Sequence, residues 1–447
     1  MAMGTETNLP KYSSFGWRQD LVLGIRPQEA PGDRHSRGAF IVFLAMSTII
    51  YLAPQLYFPW QDTIPIGKIV AALAAVTYLL ATVSSRKPLT IWGDETKYIL
   101  ILIVLGFVTI PLSRWPGGSV DFYLDIFIKS VMIFFLTANL LTSHSRVRTL
   151  FWAFTVFCVC NATAGIWHYM SGVLMGGNRF SGGLAPLTNN PNDLALFLNI
   201  TLPMIWGLYK TSHYRIARLI CLSAMALGTL AIIFTFSRGG ILTLFIMGAV
   251  WLRREARISG LSAVLIIGVI AVLMLAVTPA GYTDRVLSII DPSKDETGSS
   301  AQRIDLMDQA FNDMISHPLG TGIGMNHLSG QKAESGRLMV HNVFLQVGME
   351  LGVAGLVAYL LLLWKSMKGL SRITDRTHPS NGAVVAFAGA VQLALLGYCV
   401  EALFHPVAYL FYVYYLVGMA LAVKHLAGIG QENVRAETRL DGPGNCG

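Results

Sequence analysis

Charged residues are scarce in this chain. Asp, Glu, Lys and Arg make up 13% of its 447 residues and hydrophobic residues 53%, whereas about a quarter of a soluble domain is charged. That balance excludes an ordinary water-soluble domain and makes lipid the solvent for much of the surface. Cysteine is sparse too: Cys158, Cys160, Cys221 and Cys399 lie in apolar segments and Cys446 near the end. Such placement excludes a disulfide framework, and Cys158-x-Cys160 reads as apolar packing rather than a metal or redox pair. There is no G-x-x-x-x-G-K-[ST] stretch, no H-E-x-x-H, no Asp-x-Asp and no internal repeat, so neither a P-loop nor a familiar metal motif supplies the chemistry.

What is present is a succession of apolar runs long enough for helices that cross about 30 Å of hydrocarbon, the form in which a chain satisfies its own backbone in lipid. Candidates lie near 39–56, 64–83, 97–112, 120–141, 149–171, 193–209, 216–236, 239–252, 259–279, 341–364, 383–403 and 406–424. The expected fold is an all-α, polytopic integral membrane protein of about 12 transmembrane helices with one long loop. Residues 1–38 are polar, lack the short apolar core of a cleavable signal and are expected to form a disordered cytoplasmic tail. Residues 39–279 then carry helices 1–9, residues 280–340 the loop, residues 341–425 helices 10–12, and residues 426–447 a second cytoplasmic tail.

The net charge of +8 comes from short basic clusters between apolar runs, not from one basic face, and so does not suggest nucleic acid. With the amino terminus inside, 23 Lys and Arg fall in inside segments and 8 outside, five of those in the long loop. The positive-inside rule then places both termini in the cytoplasm and the loop on the outer face.

On that topology the unusual polar stretches gather outside. Gly176-Gly177-Asn178-Arg179-Phe180-Ser181-Gly182-Gly183 precedes Asn189-Asn190-Pro191-Asn192-Asp193; glycines let amides approach an anion, and the Asn-rich turn can cap the next helix. A flexible, well-capped connector is the plainer reading. Thr235-Phe236-Ser237-Arg238-Gly239-Gly240 places a guanidinium near membrane depth, where an ionisable group needs a partner, a function or a path to water. In the loop, Arg303 starts a stretch with Leu306, Met307, Ala310, Phe311, Met314 and Ile315 at helical spacing, an amphipathic helix that His317-Pro318 would stop. Asp305, Asp308 and Asp313 there are poorly placed to share a metal. Arg337 and His341-Asn342 lead into the tenth span, with Arg337 on its face if the helix starts a turn early. Lys129 can neutralise Asp125 at i, i+4 within the fourth span, and Glu350 and Glu401 are candidates to orient arginines or each other.

Together these segments resemble the O-antigen ligase family of membrane glycosyltransferases, which also includes polysaccharide polymerases. The resemblance rests on Arg179 with Asn190-Pro191-Asn192-Asp193-Leu194-Ala195, on Thr235-Phe236-Ser237-Arg238-Gly239, on Arg303 and on His317-Pro318-Leu319-Gly320-x-Gly322. Its most specific part is His341-Asn342, nine residues, Gly352, two residues, Gly355, which fits the family's H-[NSQ]-x9-G-x-x-[GTY]. The resemblance implies an enzyme of the bacterial inner membrane, active at the periplasmic face. It would move a glycan from undecaprenyl diphosphate to an acceptor, lipid A core or another glycan, by inverting displacement without metal or cofactor. It implies His341 as the catalytic base and Arg179, Arg238 and Arg303 as donor-diphosphate ligands. Asn342, Arg337, Asn192 and Lys68 would support them, although Lys68 could equally snorkel to the interface. Ligase and polymerase share this chemistry and differ in acceptor; protein glycosylation and a polysaccharide transporter are the more distant alternatives.

Overall fold

A computed structural model describes residues 36–58, 64–175, 179–180, 182–255, 299–326, 332–333, 336–337, 339–375 and 382–440, with 259–262, 265 and 268 between them. The described chain is helical, with two short antiparallel hairpins, β1 (Leu174–Met175) with β2 (Arg179–Phe180) and β3 (Lys332–Ala333) with β4 (Gly336–Arg337). The first helices are α1 (Arg37–Leu52), α2 (Ile66–Ser84), α3 (Asp94–Val108), α4 (Pro116–Phe122) and α5 (Ile128–Leu140), the last two joined through a π-helical turn at Tyr123–Phe127. Then follow α6 (His144–Met170), α7 (Pro191–Thr211), α8 (Arg215–Phe234), α9 (Arg238–Glu255), α10 (Ser299–Ser316), α11 (Val343–Asp375), α12 (Gly382–Glu401) and α13 (Phe411–Leu440).

Each expected span falls on a helix except the ninth, 259–279, which lies largely outside the described residues, as does the expected tail through residue 35. Among the described residues seven helices, counting α3 with its 3-10 extension to Leu112, are long and apolar enough to cross a membrane. Two of the remainder show why hydropathy alone does not settle a crossing. α1 has only 16 residues. α7 is buried almost all round, Asn199 and Thr201 included, so its neighbours are protein rather than lipid.

Helix α7 packs against α6, α8 and α12, α13 against α5 and α12, and α11 against α3, α12 and α10. Between them the core is strongly aromatic: Tyr51 lies 4.7 Å from Phe197, 5.7 Å from Phe157 and 5.9 Å from Tyr415, measured between ring centroids. At one end of the bundle Lys424 pairs with buried Glu95 at 2.6 Å and Lys365 with Asp94 at 3.6 Å, drawing together the start of α3 and the later parts of α11 and α13. The starts of α7, α9 and α11 and the end of α12 lie together at the opposite end.

There α11 is broken at Gly352, whose φ of 72° is left-handed. Pro318-Leu319-Gly320 runs so close that a Cβ on Gly352 would stand 2.3 Å from the Pro318 carbonyl oxygen, and one on Gly320 2.4 Å from that of Glu350. Carbonyls freed at the break are used at once: the amides of Thr321 and Gly322 donate to Met349 O at 2.9 Å and Glu350 O at 3.1 Å, and the Val353 amide donates to Pro318 O at 3.1 Å. A side chain at either glycine would open this seam, which is the physical content of both glycine motifs.

Candidate functional site

The Asn-Pro-Asn-Asp turn begins α7 as its residue types predict. Asn190 Oδ1 accepts the Asn192 amide at 2.9 Å, and Pro191 occupies the first helical position. Asn192 Oδ1 in turn accepts the Ser237 hydroxyl at 2.9 Å, while Ser237 Oγ accepts the Gly240 amide at 3.2 Å and so caps α9. Two motifs 45 residues apart are thereby locked together. Arg238 is the first residue of α9 and half-buried. Phe236 just before it holds a left-handed φ of 50°, a conformation that disfavours a bulky side chain and recurs at functional turns.

Below Arg238, Asn199 Nδ2 donates to Gly240 O at 2.9 Å and to Glu401 Oε1 at 3.3 Å. A Cβ on Gly239 would stand 3.2 Å from Glu401 Oε2 and from Phe404, so the start of α9 rests directly on the end of α12. The turn after α12 also reaches the tenth expected span: the Val343 amide donates to Ala402 O at 2.8 Å, and Asn342 Nδ2 approaches Leu403 O at 3.4 Å. Residues 402–405 are the hub on which the starts of α7, α9 and α11 converge, because His405 Nε2 also lies 3.2 Å from Asp193 Oδ1.

His341 stands just before α11, half-buried, with Nδ1 2.7 Å from Met339 O. A carbonyl can only accept, so Nδ1 carries the proton and Nε2 is the basic nitrogen of the neutral ring. Asn342 caps α11 through Oδ1, which accepts the Phe344 and Leu345 amides at 2.9 and 3.1 Å. The segment before it is held from the side: Asn326 Oδ1 accepts the Val340 amide at 2.9 Å, and Glu350 Oε1 accepts the Asn326 amide at 2.7 Å.

Of the residues singled out in the sequence, Asn192, Arg238, His341 and Asn342 are joined through these helix starts. Arg179 is placed by its backbone in β2 and Arg303 by its backbone in the first turn of α10. Arg337 lies in β4 and not on the face of α11, because Asn342 caps that helix and starts it at Val343. Lys68 pairs with Asp125 at 3.6 Å and is largely exposed, and Lys129 reaches the same carboxylate at 2.6 Å.

Two further expectations change. Gly182 and Gly183 do not present amides to an anion: these donate to the Asn189 and Thr188 carbonyls, each at 2.6 Å, and a Cβ on Gly182 would stand 2.3 Å from Thr188 O. Among the described residues Glu350 and Glu401 pair with no arginine and serve the Asn326 amide and Asn199 instead. The helix expected in the long loop is α10, which ends at Ser316 before His317-Pro318; Leu306 and Ala310 face the protein while Phe311 and Ile315 are exposed, and Asp313 lies 3.8 Å from Arg114.

His405 and Asp193 went unread as a pair. The available signal was a histidine flanked by two apolar runs, since an ionisable group in that position needs a partner; nothing local names the partner 212 positions earlier.

Residues 223–360 match the O-antigen ligase family. That stretch holds most of α8, all of α9 and α10, the glycine seam, His341-Asn342 and the Gly352 break. An O-antigen polymerase of Salmonella muenchen is 27% identical over 158 residues, which are 34% of this chain and 39% of that relative. Over part of its length, then, the chain is similar to O-antigen ligases and to an O-antigen polymerase.

Proposed function

We propose that this chain is a glycosyltransferase of the bacterial inner membrane that moves a glycan from undecaprenyl diphosphate to a hydroxyl of lipid A core at the periplasmic face. The observation that carries this reading is the convergence of three helix starts, those of α7, α9 and α11, on the 402–405 turn. Helix N-termini favour anions, and Arg238 adds a planar guanidinium suited to phosphate. A diphosphate held there places its glycosidic carbon toward His341.

In the reaction, the acceptor oxygen forms a bond to the anomeric carbon as the bond from that carbon to the diphosphate oxygen breaks. The electron pair leaves with the diphosphate, whose charge Arg238 balances, with Arg179 and Arg303 completing the cradle. His341 Nε2 takes the hydroxyl proton, its ring oriented by the Met339 carbonyl. A single displacement inverts the carbon. Asn192 and Asn342 hold the helix starts, and Lys68 and Arg337 are assigned supporting roles.

The Salmonella relative favours a second reading, in which the acceptor is another lipid-linked repeat unit and the product a polymer. One experiment separates the two: purified full-length protein in detergent with an undecaprenyl-diphosphate-linked glycan, lipid A core and EDTA, beside His341→Ala. Glycosylated core from the unaltered protein alone supports ligation through His341 without metal. A ladder of lengthened donor supports polymerisation, and no transfer with or without EDTA rejects both.

A further inference from the structure

At the end of the bundle remote from His341, α3, α11 and α13 enclose a cleft of about 270 Å³ lined by Asp94, Lys365, Lys368, Gly369, Arg372 and Lys424, among others. Its carboxylates are already engaged, Asp94 with Lys365 at 3.6 Å and the adjacent buried Glu95 with Lys424 at 2.6 Å. Lys368 and Arg372 have no carboxylate partner among the described residues and leave the cleft with an excess of positive charge. Lys368 lies over the Trp364 ring, 4.6 Å from its centroid, and Lys365 lies 5.5 Å from the same ring.

Exposed apolar surface leads to this cleft. Val353, Val357, Leu360 and Trp364 recur along α11 at helical spacing and are 47%, 48%, 44% and 50% exposed, and the adjoining α3 exposes Leu100, Val104 and Phe107. A basic cavity continuous with a lipid-facing stripe, with an indole where they meet, matches an amphiphile rather than a free anion. We infer that this cleft binds the phosphodiester headgroup of an anionic membrane phospholipid, with the acyl chains lying along the Val353–Trp364 stripe of α11. Lys368 and Arg372 contact the phosphate, and the two ion pairs hold the walls of the cleft in place. The headgroup contacts use nothing of the transfer site, since Lys368 and Arg372 lie more than 20 residues beyond His341 in the chain.

The test is native mass spectrometry of the full-length protein in detergent with added phosphatidylglycerol, phosphatidylcholine or inorganic phosphate, beside the double variant Lys368→Gln/Arg372→Gln. Neither residue is in an ion pair among the described residues, and thermal unfolding without added lipid checks that the variant folds. The expected result is retention of phosphatidylglycerol in preference to phosphatidylcholine, persisting in excess inorganic phosphate, with about tenfold weaker retention by the variant. Equal retention of both lipids, an unaffected variant or displacement by inorganic phosphate at matched concentration would each overturn the assignment.

Discussion

At the scale of single residues, Arg238 and the pair of Asp193 with His405 make different demands. Arg238 opens α9 without a carboxylate partner among the described residues, so its replacement should spare the fold and damage phosphate recognition. Arg238→Lys keeps the charge and loses the planar fork; it should lower kcat/KM by about 10-fold, and Arg238→Ala by about 100-fold or more. Steady-state transfer kinetics beside thermal unfolding check this, and a Lys variant indistinguishable from the parent would make Arg238 a plain point charge. Asp193 and His405, 3.2 Å apart and both largely buried, hold the start of α7 against the 402–405 turn. Asp193→Asn and His405→Gln should each reduce transfer, and the double variant should be little worse than either, with a coupling of about 1–3 kcal/mol in the cycle. Additive losses would show that the two groups act independently.

Helix starts were legible at the scale of elements because caps are local. Asn190 before Pro191, Ser237 before Arg238 and Asn342 before Val343 each declare themselves within four residues. Contacts across the fold were not legible, and those decide what a glycine does. Gly182 and Gly183 read as part of an anion cradle until their amides are seen bonded to Asn189 and Thr188; the glycines of the His-Pro-Leu-Gly stretch have meaning only beside Gly352. Gly352→Ala combines a left-handed φ of 72° with a Cβ 2.3 Å from a backbone oxygen. It should cost about 3 kcal/mol or more and shift the start of α11 away from its seat. A lowered Tm together with lost transfer is the expected result. Gly355→Ala provides a comparison without the left-handed φ, since the atom nearest a Cβ there is Leu351 Cβ, also at 2.3 Å.

The whole molecule has two chemically unlike ends. One gathers polar helix starts around the 402–405 turn; the other gathers the Asp94–Lys365 and Glu95–Lys424 pairs and the basic cleft. The proposal that transfer is periplasmic puts the second end in the cytoplasm, on the expectation that basic segments resist translocation. Leu319, 73% exposed beside the glycine seam, and Leu89, 61% exposed in the connection before α3, are suitable reporters at the two ends. In a chain with its five native cysteines replaced, Leu319→Cys should react with a membrane-impermeant maleimide in cells with a permeabilised outer membrane, and Leu89→Cys only after the inner membrane is opened. The reverse pattern would place the helix starts in the cytoplasm, where a periplasmic acceptor cannot reach them. Labelling of both in intact inner membrane would break the tie between charge and side, and with it the reason for placing transfer outside.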